Sequence, residues 1–403
     1  QTDRQTDRQT DRQTDRQTDR QTDRQTDRQT DRQSGVELLK IIGIFLIVVS
    51  HVTQTLGSEN PGIPFQDYVI LLGNATTDIR VIILNLLRQA GALGNTIFFT
   101  CSAWFLVGKT SDARKKAFSL LSTVWCISIL ILCLYLFAYP SCITTKDLVK
   151  QVFPTCFANN WYMTCYIIFL FIYPWLNKMI ALTDQKQLLG ITVFSSTLWI
   201  VGDYFKGGWF FPSSLILWVT IYFLIAYLKL YCSRMMANIK VGVALLLVGI
   251  LEYIAQVVVT NYVGLYLINA FSDKVLRWNT NCCPFYLMIA IGSMIIALQA
   301  AYRVRVINYI SGLSMFVYLI HENYLFRNYT RPAIWQYLYL NYGYAHVVML
   351  DLAFAVVLFL LSIVVSAVYK ETLQRLVVKA SNKLFSVLEM LYGRMENIIM
   401  QIK

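Results

Sequence analysis

Histidine is nearly absent from this chain, with three in 403 residues, and charged side chains make up only 14% of it. So little charge beside 56% hydrophobic residues excludes an ordinary soluble domain and leaves a polytopic membrane protein. No CxxC pair or His/Cys cluster suggests a metal site, and no G-x-S-x-G elbow suggests an appended hydrolase. The nine cysteines give no framework. Cys101, Cys126, Cys133, Cys165 and Cys283 lie in or beside apolar runs, where cysteine behaves as a small apolar residue. Cys142, Cys156 and Cys282 fall in connections, and a Cys142–Cys156 disulfide is open if that compartment is oxidising.

Apolar residues are wholly missing from positions 1–32, which are eight perfect copies of Gln-Thr-Asp-Arg with no net charge. The segment is expected to be disordered, and it has no hydrophobic core to make it a signal peptide. The codons CAG ACA GAC AGA encode this tetrapeptide and are the four-base unit CAGA repeated. Because that unit is not a multiple of three, gain or loss of one copy shifts the downstream frame and leaves the repeat readable. Random switching of this kind suits a bacterial enzyme that alters a surface antigen. A charged spacer selected as protein would not require perfect identity. The chain opens on Gln1 rather than Met, which leaves an upstream start codon open.

What is present is a series of ten apolar segments, at 35–56, 90–107, 117–139, 161–182, 188–201, 213–231, 241–260, 283–301, 309–326 and 346–369. The expected fold is all-α with about ten transmembrane helices. The fifth segment is short, although Trp199 and the turn at 203–208 fit an interfacial end. Basic clusters at Lys109 to Lys116, Lys229 to Lys240, Arg303 with Arg305, and Lys370 to Lys383 all fall on one side of such a chain. By the positive-inside rule that side and both termini are cytoplasmic. The net charge of +12 then reflects topology and attraction to anionic lipid, with no nucleic-acid partner. Three regions result: a tail over 1–33, a membrane domain over 34–370, and an amphipathic cytoplasmic helix over 371–403. In the last, Leu376, Val377, Leu384, Leu388, Leu391 and Ile398 recur at helical spacing. It lies on the leaflet or serves oligomerisation.

Lys40 and His51 close the two ends of the apolar run ELLKIIGIFLIVVSHV. Eleven residues are roughly three helical turns and about 16 Å, so both side chains share one face. With Lys40 at one surface, His51 reaches about halfway through a hydrocarbon core of about 30 Å. An imidazole at that depth faces a cavity or bonds to a neighbouring helix, and spacing leaves both readings open.

Four patterns carry a family resemblance. GVELLKIIGIFLIVVSH resembles the first helix of the acyltransferase-3 family of membrane acyltransferases, whose hallmark is a basic residue, ten positions, then His. NTIFFTCSAWFLVGK is similar to its FF-x-x-SG-x-F helix, WYMTCYIIFLFIYPWLN to its W-[YF]-x(3)-Y and P-x-L-N segment, and YISGLSMFVYLIH to its I-S-x-L-S-x(3)-YLIH helix. Ala103 stands where glycine is common, and Lys40 replaces the commoner Arg, keeping the charge without the bidentate fork.

The resemblance implies O-acyl transfer, usually of acetyl, from cytoplasmic acyl-CoA to a sugar hydroxyl of a surface polysaccharide, lipopolysaccharide or lipid-linked glycan. The setting is the bacterial inner membrane. Acetyl-CoA is then the donor substrate, and no cofactor is bound permanently. His51 is the expected general base, with a covalent acyl-histidine as an alternative. Lys40 would meet the CoA phosphates, joined by Arg114 and Lys115, unless it only snorkels to the interface. Glu37, three residues before Lys40, would orient it. His321 and Glu322 form a local dyad or bind acceptor, although His321 also suits a helix C-terminus. Tyr166 and Tyr318 offer hydroxyls, and Trp161 could stack on a sugar or anchor at the interface; 57 aromatic residues make single choices among them weak. His346 reads as interfacial and Asp351 as an interhelical hydrogen bond or cap. The different-class alternative is a glycan transporter in which His51 and Asp351 relay protons, against which stands the lack of a clear internal repeat in the membrane region.

Overall fold

The computed structural model describes residues 33–57, 69–109, 113–201, 214–279, 281 and 283–402. The tetrapeptide repeat, the turn at 203–208, Cys282 and the side chain of Ile398 lie outside the described residues. The principal helices are α1 (Ser34–Leu56), α2 (Ile79–Leu106), α3 (Arg114–Ala138), α4 (Thr145–Val152), α5 (Trp161–Leu182), α6 (Gln185–Trp199) and α7 (Ser214–Tyr231). They continue as α8 (Ile239–Tyr266), α9 (Pro284–Gln299), α10 (Arg305–Ser311), α11 (Ser314–His321), α12 (Arg331–Tyr342), α13 (Val347–Tyr369) and α14 (Arg375–Ile402). No strand occurs among the described residues, and the protein is an all-α polytopic membrane protein.

Among the described residues, six helices are long and apolar enough to cross a membrane: α1, α2, α3, α5, α8 and the continuous helix that contains α13 and α14. Apolar stretches of α7 and α9 are shorter. The segment at 309–326 is not one helix. It divides into α10 and α11 at Gly312 and Leu313 and ends at His321. The C-terminal helix is likewise not separate, because a five-residue π turn at Lys370–Gln374 joins α13 to α14. α14 then packs across α3 through Ser122 with Ser381 at 3.1 Å and Phe118 with Phe385 at 5.7 Å between ring centroids. Leu376, Leu384, Leu388 and Leu391 stay exposed, and Leu384 together with Val377 lines a groove against α3. Cys142 and Cys156 are exposed and unbonded.

The order of burial explains how the helices are arranged. In α1, 61% of the most apolar window is buried, and in α2 56%, against 17% in α8. α1 is therefore the central helix, and α8 keeps most of its surface toward lipid. Lipid tails are as apolar as leucine, so helices in a bilayer associate through close packing and hydrogen bonds rather than hydrophobic exclusion. α1 uses both. A Cβ on Gly94 of α2 would stand 2.4 Å from the carbonyl oxygen of Gly43, and one on Gly91 would stand 2.5 Å from Ser50 Oγ. Only glycine permits that crossing. On its other faces, α1 receives a hydrogen bond from Trp335 Nε1 to the Val52 carbonyl at 3.0 Å and donates from Thr53 to Asp351 at 2.7 Å. Bonds of this kind are worth about 0.6 kcal/mol each.

The entry to α2 is fixed by Asp78, the N-cap, which accepts from the Arg80 amide at 2.9 Å. Its carboxylate also accepts from the Arg80 guanidinium at 2.9 Å and from the Tyr344 hydroxyl at 2.7 Å. These bonds, Arg80's first, hold the carboxyl well below the usual carboxylate range. A carboxyl depressed in the folded state contributes stability above its unfolded pKa of about 3.9 and loses it as pH falls through the lower folded value. Asp78→Ala is expected to destabilise the protein by about 1 kcal/mol near neutral pH. Thermal midpoints of the two proteins should converge as the medium is acidified below that range.

Candidate active site

α1 and the α10–α11 pair run side by side in the same direction. Ser34 donates to Asn308 at 2.9 Å, Ser311 donates to Glu37 at 2.5 Å, and farther along His51 meets His321 at 3.0 Å. The break at Gly312–Leu313 changes the path of the second segment between these contacts. His321 therefore does not stand apart from His51. Both imidazoles belong to one cluster.

The hydrogen bonds fix which nitrogens carry protons. His321 Nδ1 is 2.6 Å from the carbonyl oxygen of Val317. A carbonyl only accepts, so this nitrogen donates and Nε2 of the neutral ring keeps a lone pair. His51 Nδ1 lies 3.0 Å from that Nε2 and 3.0 Å from Glu322 Oε2. Both neighbours accept, so Nδ1 is the protonated nitrogen of His51. Its Nε2 keeps a lone pair and has no hydrogen-bond partner among the described residues. An imidazole held by a carboxylate at one nitrogen and open at the other is the arrangement of a general base, because the carboxylate orients the ring and stabilises the imidazolium that forms.

Glu322 is itself held on both oxygens. Arg327 Nη1 donates to Oε1 at 2.9 Å and Arg331 Nη1 to Oε2 at 3.0 Å. The side chains of Glu322 and Arg331 are only 8% and 4% exposed. At that burial a broken pair leaves an uncompensated charge at a cost of about 3–5 kcal/mol. His51, His321 and Glu322 offer ligand atoms within 4.8 Å of one another. Two guanidinium groups already occupy the carboxylate, and their positive charge opposes a cation at the same oxygens.

A cavity of about 280 Å³ leads toward this cluster from the Lys40 end of α1. Glu37, Lys40 and Lys116 line it at one end, with Tyr166 beside Lys116, and Tyr162 and Tyr318 line it toward the cluster. Lys40 pairs with Glu37 at 3.1 Å and lies 5.2 Å from the Phe105 ring centroid. Lys116 sits 5.9 Å over Tyr166. The Tyr318 ring is 6.4 Å from that of His51 and 5.9 Å from that of His321, which brings the cavity wall to the cluster.

Of the residues singled out from sequence, His51, His321 and Glu322 come together, while Glu37, Lys40, Tyr166 and Tyr318 line the cavity. Trp161 packs against Tyr162 at 5.7 Å and is not in the lining. Arg114 is exposed and paired with Glu389 at 3.5 Å, and Lys115 is also exposed; only the next residue, Lys116, lines the cavity. His346 is exposed and bonded to the Tyr342 carbonyl, and Asp351 makes the interhelical bond expected by default. Sequence reasoning missed Arg327 and Arg331. Their only signal was a pair of arginines spaced by four just beyond a histidine-glutamate pair.

A family model described as an acyltransferase domain matches residues 33–371. The chain belongs to the acyltransferase-3 family. It is thus a membrane acyltransferase, and the match starts where the tetrapeptide repeat stops and ends where α13 passes into α14. No curated protein and no solved structure matches it. For this acyltransferase, Glu322→Gln is the sharpest probe of the cluster. The amide leaves Arg331 without its counter-charge and can donate to His51, which would reverse the tautomer. Acyl transfer should fall by about 10²–10⁴-fold at unchanged membrane abundance. Full transfer by an abundant variant would remove Glu322 from the site.

Proposed function

We propose that the acyltransferase moves an acyl group, acetyl first among candidates, from cytoplasmic acyl-CoA to a hydroxyl of a bacterial surface polysaccharide or lipopolysaccharide. The inner membrane is its location, with both termini cytoplasmic. The observation that carries this reading is the free Nε2 of His51 together with a cavity that runs from Lys40 and Lys116 to Tyr318, whose ring lies 6.4 Å from that of His51. A strip about 16 Å long from cation to base suits a donor with a charged head and a thioester tail. Lys40 and Lys116 meet CoA phosphates, and Arg114 and Lys115 extend the same charge outward from the start of α3. Glu37, bonded to Lys40 and Ser311, positions the first of these cations.

In the reaction, Nε2 of His51 takes the proton of the acceptor hydroxyl as its oxygen attacks the thioester carbonyl carbon. Glu322 stabilises the resulting imidazolium through Nδ1. The tetrahedral intermediate collapses with cleavage of the carbon–sulfur bond, and the imidazolium returns its proton to the CoA thiolate. The products are the O-acyl ester and CoA thiol. The buried Tyr318 hydroxyl, on the cavity wall, is the candidate to donate to the oxyanion. Family membership supports acyl transfer over the transport alternative. Binding of acetyl-CoA to the purified protein separates the two directly.

His51→Ala should abolish transfer, a loss of about 10²–10⁴-fold, while membrane abundance stays normal. Mass spectrometry of surface glycan from cells carrying each allele reads the outcome, and normal acylation by an abundant variant would overturn the assignment. Lys40→Ala should weaken donor binding about tenfold or more, as expected for one charged hydrogen bond, and Lys40→Arg should retain it. Failure of both to insert would make Lys40 a topology signal instead.

Expression is proposed to be phase-variable through the Gln-Thr-Asp-Arg tract. Single colonies should then differ in the number of CAGA units, and only colonies in the matching frame should read into Gly35 and acylate their glycan. Mixed codons across the eight copies, or an invariant tract in many colonies, rejects slippage.

A further inference from the structure

A second concavity meets the histidine cluster at His321 and shares no lining residue with the donor cavity. This groove, about 440 Å³, runs between α11, α12 and α13. Its walls are Ile320, His321, Phe326 and Ile334 on one side and the α13 stretch from Leu350 to Val365 on the other. The fifteen steps of helix from Leu350 to Val365 rise about 22 Å, more than half of a hydrocarbon core of about 30 Å. Apart from His321 and Ser362, the lining is apolar. Val357, Leu361 and Val365, at 53%, 58% and 50% exposure, form its open rim within the most hydropathic span of the chain, so the groove opens sideways onto lipid.

We propose that this groove holds the hydrocarbon chain of a membrane-anchored acceptor. Three observations choose that occupant. The groove is walled by His321, whose Nε2 is 3.0 Å from His51, so the groove abuts the reaction site. The donor cavity uses Phe316 and Tyr318 of α11, whereas the groove uses Ile320 and His321, which gives the two substrates separate entrances. Phe326 of the groove is followed by Arg327, whose side chain is 33% exposed. With Lys150 it flanks the Tyr324 ring, at 5.8 and 4.5 Å from the centroid, and the two cations complement an anionic headgroup. The acceptor is accordingly a lipid-linked glycan with a phosphate-type linkage, acylated before it leaves its anchor. This rests on the acyl-transfer reading above and specifies its acceptor.

The test uses the full chain in nanodiscs with a photoreactive long-chain alkyl phosphate as probe. Label should concentrate on the stretch from Leu350 to Val365 and on Ile334 and Leu338, and groove-filling Ala353→Trp or Leu361→Trp should reduce it about tenfold. In cells, either variant should lower glycan acylation about tenfold while acetyl-CoA binding to the purified protein stays unchanged. Label spread equally over the lipid-facing residues of α8, such as Leu251 and Val259, would mean bulk lipid only and overturn the proposal. So would normal acylation by both variants, or label that depends on added acyl-CoA, which would assign the groove to the donor's acyl chain. Should the wild type fail to bind acetyl-CoA, the acyl-CoA reading fails, and the labelling still decides the groove. Should a tryptophan variant not fold, the wild-type label map decides it.

Discussion

A carboxylate buried in the protein interior has to be neutralised, and the site depends on how Glu322 meets that requirement. Arg327 and Arg331 each donate to one of its oxygens, at 2.9 and 3.0 Å. The cost of an unpaired ion at this burial exceeds any single packing contact nearby, so the two arginines fix the short connection from α11 through the π turn at Phe326–Thr330 into α12. That connection presents the carboxylate to His51 in one orientation. His51 then has its protonated nitrogen engaged and its other nitrogen open.

The packing of α1 follows the same logic with neutral groups. Side chains and backbone of this one helix bond to α2, α10, α12 and α13 through Ser50, Ser34, Val52 and Thr53. Each bond is small, but they lie on different faces and leave the helix little freedom to rotate. Gly94 and Gly91 let α2 approach closely enough for Ser50 to reach the Arg88 carbonyl at 2.5 Å. An imidazole placed on such a helix keeps its bearing on both the cavity that Lys40 lines and the lipid-facing groove.

Much of the architecture is legible in the chain because membrane spans are written in runs of apolar residues. The starts and ends of α3, α5 and α13 fall close to their hydropathy limits. α2 does not, because its first turns carry Asn85, Arg88 and Gln89, which lower hydropathy although Asn85 and Gln89 are buried and bonded to other elements. The break between α10 and α11 was equally hidden, since Gly312 and Leu313 do not interrupt the apolar pattern. The π turn joining α13 to α14 left no mark, because a chain rich in Lys and Glu there reads as the end of a span whether or not the helix continues.

The sequence by itself determined the membrane class, the Lys40 and His51 pairing on one helical face, and the acyltransferase-3 family. The first two follow from local composition and from 3.6-residue periodicity, and the family from the resemblance of four local motifs, none of which needs knowledge of other helices. The tertiary structure decided that His321 and Glu322 join His51, that Lys116 rather than Arg114 or Lys115 lines the cavity, and that Arg327 and Arg331 hold the carboxylate. Such choices depend on which faces of separate helices meet and at what height. No single segment encodes them, because the compensation of a buried charge comes from whichever helix the folded chain brings alongside it.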